Sequence, residues 1–116
     1  MAWSEERYRE LLDYCIEYGK GSWVPFNVLL WEVEALLGEP AREERAEGML
    51  RLAGDLFDAG VRPIDLIEGD SPPFIPWDLP KEEALARIRT GLDGLRADID
   101  SIDICWFTHL GDGAPG

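Results

Sequence analysis

The chain has few of the residues that most enzyme and metal sites require. His109 is the only histidine among 116 residues, which excludes a site built from two histidines and the zinc motif HExxH. The motifs GxSxG, GxxxxGK[ST] and GxGxxG do not occur, so neither a nucleophile elbow nor a glycine-rich phosphate loop of these kinds is encoded. We therefore predict a non-catalytic chain that uses no cofactor and no metal.

Cysteines and long apolar runs are also scarce. Cys15 and Cys105 are the only cysteines, and both lie within apolar segments. We predict two buried free thiols, with a disulfide left open as the alternative. No apolar run reaches the length of a membrane span, and the N-terminus lacks the basic and apolar regions of a signal peptide. The expected location is the cytoplasm.

Basic residues are outnumbered, with 24 Asp and Glu against 11 Lys and Arg and a net charge of −13. Residues 1–60 carry 13 acids and six bases, and residues 61–116 carry 11 acids and five bases. A disordered acidic tail would lack the 46% hydrophobic residues and the five tryptophans found here. These features indicate a folded domain whose negative surface repels nucleic acid and anionic membranes and attracts basic partners.

Periodicity and glycine stops predict one domain, 1–116, with four helices and three strands. We expect helices at 4–18, 26–37, 41–59 and 80–95, strands at 61–67, 74–77 and 104–110, and a frayed tail at 111–116. The second helix is apolar on most sides, which predicts a central position for it and a core position for Trp31. Gly48 and Gly54 mark expected close helix contacts. A helical part (1–60) followed by a strand–helix–strand part (61–110) predicts an α+β fold, a three-helix bundle followed by a small antiparallel sheet with an inserted fourth helix.

The order of these elements resembles that of winged-helix domains. The segment DLFDAGV at 55–61 resembles the end of a winged-helix recognition helix, and WFTHLG at 106–111 resembles the closing strand of the wing. Residues 72–95 depart from the pattern, because a helix is expected where a plain wing hairpin would lie. The charge departs as well: residues 41–59 have a net charge of −2, whereas a DNA-reading helix presents Lys and Arg to phosphates. The resemblance therefore implies a winged-helix-like scaffold without a DNA-binding surface.

A small, highly acidic domain without a catalytic motif is similar in type to bacterial immunity proteins, which inhibit a cognate toxin domain. This resemblance implies a basic protein partner, which is found quickly by electrostatic steering and whose active site is occluded. The alternative is a winged-helix-type regulator that acts by dimerisation or by binding an effector. We expect no nucleic acid and no membrane as partners, and a homodimer is left open.

Two acidic clusters are the predicted partner-binding residues. The first surrounds a proline-rich loop and has a tryptophan as its anchor: Asp65, Glu68, Asp70, Trp77 and Asp78. The alternative for Trp77 is that it covers the edge of the core. The second is an acidic turn: Asp98, Asp100 and Asp103. This turn begins like a calcium loop, but Asp103 stands where the invariant glycine belongs and His109 where the final glutamate belongs, so we interpret it as solvated.

Overall fold

The computed structural model describes residues 3–38, 41–66, 74–94 and 104–110. Within them the chain forms a mixed helix and sheet fold, which confirms the α+β class. The elements are α1 (Glu5–Gly21), β1 (Val24–Pro25), α2 (Phe26–Leu37), α3 (Arg42–Asp58), β2 (Val61–Leu66), β3 (Phe74–Pro76), α4 (Lys81–Asp93) and β4 (Trp106–His109). The two-residue strand β1 was not predicted, because it is too short to show an alternating pattern.

The described strands form an antiparallel sheet in the order β1-β4-β2-β3. The last strand, β4, lies inside the sheet, so that Phe107 is opposite Val24 of β1 on one side and Pro63 of β2 on the other. Phe107 is fully buried and stacks on Phe26 with ring centroids 6.2 Å apart. Strand β4 therefore joins β1 to β2 within one shared sheet and core.

Helix α3 packs more extensively than α2, because it contacts α1, α2, α4 and β2. The prediction that α2 occupies the centre is wrong, since one face of α2 is exposed. The predicted close helix contact is confirmed at Gly48, whereas Gly54 makes only an ordinary contact with α4. A Cβ atom on Gly48 would lie 2.9 Å from Cγ1 of Val33 in α2, and one on Gly54 would lie 3.4 Å from Cε of Lys81 in α4.

Helix α4 lies antiparallel along α3 and is tied to it at both ends. Lys81 at the start of α4 pairs with Asp58 at the end of α3, with 2.7 Å between Nζ and Oδ2. Arg89 further along α4 pairs with Glu43 near the start of α3 at 2.5 Å. Arg42 donates a hydrogen bond of 2.6 Å to the last carbonyl of α4, where a cation also suits the helix dipole. This packing covers one side of α3.

Glycines end two of the helices as predicted. Gly38 after α2 and Gly60 after α3 have φ angles of 65° and 90°, a left-handed backbone that glycine adopts without steric cost. The predicted end of α1 at Tyr18 is three residues too early. Gly19 lies within the helix, and its lack of a side chain allows a close approach to the sheet, because a Cβ atom there would lie only 3.2 Å from Cγ1 of Val61 on β2.

A cluster of polar and aromatic contacts joins the start of α1 to α3. Both carboxylate oxygens of Glu5 accept hydrogen bonds from Arg51, at 2.7 and 2.9 Å, and Trp3 Nε1 donates to the same carboxylate at 3.2 Å. The Arg51 guanidinium lies 4.2 Å from the ring centroid of Tyr8, whose hydroxyl donates to Asp55. The hydrogen bonds from Arg51 lower the pKa of Glu5 from 4.5 to about 2, against the opposing effect of desolvation.

Because the folded pKa of Glu5 is depressed, this contact stabilises the fold above pH 4.5 and is lost as the pH falls toward 2. We expect Glu5→Gln to lower the urea midpoint at pH 7 and to lower it much less at pH 2.5, where most of the stabilisation by the ionised carboxylate has been lost. Glu6→Gln, which removes the same charge one residue along, is the matched control. A Glu5→Gln deficit that is as large at pH 2.5 as at pH 7 would contradict this account.

Candidate functional site

The structure brings two of the predicted partner-binding residues together, Asp65 and Trp77, and adds Arg87 of α4 to them. Trp77 Nε1 donates a 3.0 Å hydrogen bond to Asp65 Oδ1, and Arg87 Nη2 lies 3.6 Å from Asp65 Oδ2. The Arg87 guanidinium carbon lies 3.9 Å from the ring centroid of Trp77. The three side chains therefore use their hydrogen-bonding and charged groups on one another within the fold.

Trp77 is only 8% exposed, which contradicts the exposed position that an anchor for a partner requires. The alternative, that this side chain covers the edge of the core, is confirmed. The burial arises because α4 brings Arg87 over the indole ring. Sequence patterns could not show this, since a short predicted strand beside a proline-rich loop does not indicate which side chain will cover Trp77.

Asp78 is exposed next to the buried tryptophan. The remaining predicted residues lie outside the described residues: Glu68, Asp70, Asp98, Asp100 and Asp103. Among the residues that are described, no three His, Cys, Asp or Glu side chains are grouped so that they could hold a metal ion. In the same ranges, no helix combines the length and apolar character needed to cross a membrane.

A groove runs between α1 and α2. The C-terminal end of α1 faces the N-terminal end of α2, so the two helices are antiparallel. At that end the groove deepens into a cavity of about 230 Å³ with Tyr18 and Val28 among its walls. It continues past Glu10 and Ala35 toward the start of α1, and Tyr14 lines both parts.

The two helices expose large apolar side chains along this groove. Tyr14 is 65% exposed, and Tyr18 and Val28 are also exposed. Trp31 lies on the same outer face of α2 and is 47% exposed, so the prediction of a core position for it is wrong. We call these four residues the aromatic face. Large apolar side chains exposed on one side of a domain are a usual mark of a binding surface.

Carboxylates border the aromatic face. Glu6, Glu10, Asp13 and Glu17 follow one another at intervals of four, three and four residues, which places them in one row on the exposed side of α1. Glu32 lies in the groove itself. We call these five residues the acidic rim. Within the described part of the chain, no salt bridge neutralises Glu10, Asp13 or Glu32.

Cys15 lines the deep part of the groove but is not suited to nucleophilic chemistry. Burial raises the pKa of its thiol from 9.0 to about 12, and the charge of Glu32 raises it further in the same direction. Burial likewise raises the pKa of Cys105. Both thiols are buried and free, so the predicted free thiols are confirmed, and at neutral pH they remain protonated and unreactive.

The aromatic face was not predicted, although the sequence carries a signal for it. A helix that is apolar on most sides is either enclosed by the core or covered on one side and exposed on the other. The positions Val28, Trp31 and Ala35 recur at helical spacing on α2 without a charge among them, and Tyr14 and Tyr18 do so on α1. Only the packing of the other helices shows which side is covered.

Comparison with protein family models, with curated proteins and with solved structures finds no significant match. The fold and the groove define an acidic α+β domain that carries an exposed aromatic face with a carboxylate border.

Proposed function

We propose that this chain is a non-catalytic protein-binding domain that recognises a basic partner, in the manner of an immunity protein that inhibits a toxin domain. The observation that supports this most strongly is the coincidence of the aromatic face with the acidic rim on α1 and α2. Apolar side chains there supply contact area, and carboxylates supply attraction and selectivity for cationic groups. An inhibitor of this kind acts by covering its partner's active site.

The distribution of charge supports the same proposal. Many basic side chains among the described residues form salt bridges with acidic side chains of this chain: Lys20, Arg45, Arg51, Lys81, Arg87 and Arg89. The excess acids consequently produce a net negative field that internal pairing does not cancel. Such a field speeds the encounter with a basic protein and disfavours nucleic acid.

The test is an affinity capture in which the intact chain is the bait and bound proteins are released by a salt gradient. We expect one stoichiometric basic protein, released by salt and then identified by mass spectrometry. Its affinity, measured with purified components, should fall at least tenfold between about 50 and 300 mM salt. Its own activity, once assayed, should be inhibited at a one-to-one ratio.

A pair of double variants separates local recognition from bulk charge. Glu10→Gln with Glu32→Gln removes two carboxylates of the acidic rim, and we expect a loss of affinity of about tenfold or more. Glu82→Gln with Glu83→Gln removes the same charge from exposed positions on α4, and we expect a loss of less than about threefold. Equal losses for the two variants, or no salt-released partner, would overturn the proposal.

A second candidate function is a winged-helix-type regulator that acts by dimerisation or by binding an effector. It is favoured by the three helices that precede β2 and by the antiparallel pairing of β2 with β4. Helix α4 covers one side of α3, and α3 has a net negative charge. Both features argue against DNA reading by α3. Light scattering tests dimerisation: a dimer at micromolar concentration supports this candidate, and a monomer removes the form of it that acts by dimerisation.

A further inference from the structure

The groove between α1 and α2 has the dimensions of a helix-binding site. From Arg7 to Tyr18, which line its two ends on α1, the helix rises about 16 Å, or three turns. An additional helix laid between two antiparallel helices packs against both, and an apolar stripe at intervals of three and four residues then meets the groove. The deep end beside Tyr18 and Val28 offers about 230 Å³, enough for one large apolar side chain.

The charges around the groove decide which helix fits. Glu10 and Glu32 line the groove together with one base, Arg7, at its far end. Asp13 and Glu17 follow on the outer side of α1, where Glu17 pairs with Lys20. A second copy of this chain would bring its own acids against these, and the net charge of −13 opposes such pairing. A helix with an apolar stripe flanked by Lys or Arg places cations beside these carboxylates.

We propose that the α1–α2 groove is the docking site for a basic amphipathic helix of about three turns, presented by the protein partner. This inference rests on the proposed function and adds the mode of recognition to it. An apolar residue of the helix occupies the cavity between Tyr18 and Val28, and a neighbouring base lies beside Glu32. The large exposed ring of Trp31 covers the outer side of the bound helix.

The probes are two synthetic 15-residue peptides of identical Leu and Lys composition. In the first the leucines form one helical stripe, and in the second they are scattered around the helix. Titration calorimetry at about 150 mM salt should give at least tenfold tighter binding for the striped peptide, since groove docking depends on the apolar stripe and charge attraction does not. Equal affinities for the two peptides would overturn the inference.

Val28→Asp distinguishes groove docking from binding by charge alone, because the two predict opposite changes in affinity for the striped peptide. The variant adds a negative charge, so binding by charge alone would strengthen, whereas groove docking should weaken about tenfold because the cavity wall becomes polar. Ile75→Asp is the matched control, because Ile75 is 56% exposed on β3 and lies outside the groove. The Ile75→Asp variant should bind the striped peptide as tightly as the parent chain does. A tighter complex with Val28→Asp, or equal losses in both variants, would contradict docking in the groove.

Failure of the docking mode can be distinguished from failure of the proposed function. If the salt-released partner binds Val28→Asp as tightly as it binds the parent chain, then the docking mode is wrong and the proposed function stands. If no such partner exists and the striped peptide still depends on Val28, then the groove binds helices and the proposed function fails. Circular dichroism of each variant confirms that the helices are retained.

Discussion

Replacing Phe107 by alanine is expected to cost about 4 kcal/mol of unfolding free energy, which is a large share of the stability of a domain of this size. Phe107 is fully buried, stacks on Phe26, and stands on the strand that joins β1 to β2. Truncation leaves a cavity where the sheet meets α2, and no neighbouring strand is free to close it. Urea unfolding followed by circular dichroism measures the loss.

Two further variants keep this prediction testable even if Phe107→Ala does not fold. Phe107→Leu retains most of the apolar volume and should cost only about 1 to 1.5 kcal/mol. Ile75→Ala removes an exposed side chain from the edge strand β3 and should cost less than about 0.5 kcal/mol. A Phe107→Ala loss below about 1 kcal/mol would mean that the β4 side of the core is not packed as described.

Those features of the fold that depend on neighbouring residues could be predicted from the sequence. Gly38 and Gly60 end helices because the chain needs a positive φ at those points, and the stripe of α1 follows from spacing alone. Features set by distant partners could not be predicted. Strand β1 consists of Val24 and Pro25, and its existence depends on Trp106 and Phe107, more than 80 residues away.

In the candidate site, too, the features set by local sequence could be predicted and those set by distant partners could not. Composition indicates an acidic surface and a helix α2 rich in apolar residues, and both are present. The composition of a helix does not say which side the rest of the protein covers, so Trp31 was expected in the core and is exposed. Trp77 shows the reverse: it was predicted as an exposed anchor, with cover of the core edge as the alternative, and in the structure Arg87 of α4 covers its ring and Asp65 accepts a hydrogen bond from its N–H group.

The buried position of Trp77 leads to the second large expected effect. Trp77→Ala should lower the unfolding free energy by about 3 kcal/mol or more, because the side chain is 8% exposed, donates to Asp65 and lies beneath the Arg87 guanidinium. The midpoint of thermal unfolding should then be lower by about 12 °C or more. Trp77→Phe keeps an aromatic ring under Arg87 and loses the hydrogen bond, so it should cost only about 1 kcal/mol.

These variants also separate structural stabilisation from partner binding at this position. If Trp77 only supports the fold, then the folded fraction of Trp77→Phe binds the basic partner within about twofold of the parent chain. Val28→Asp should show the opposite combination, with stability nearly retained and affinity reduced. A loss of affinity of tenfold or more in Trp77→Phe, with stability almost unchanged, would place the docking surface at the α4 edge of the sheet and not at the α1–α2 groove, because a buried packing residue cannot produce that combination.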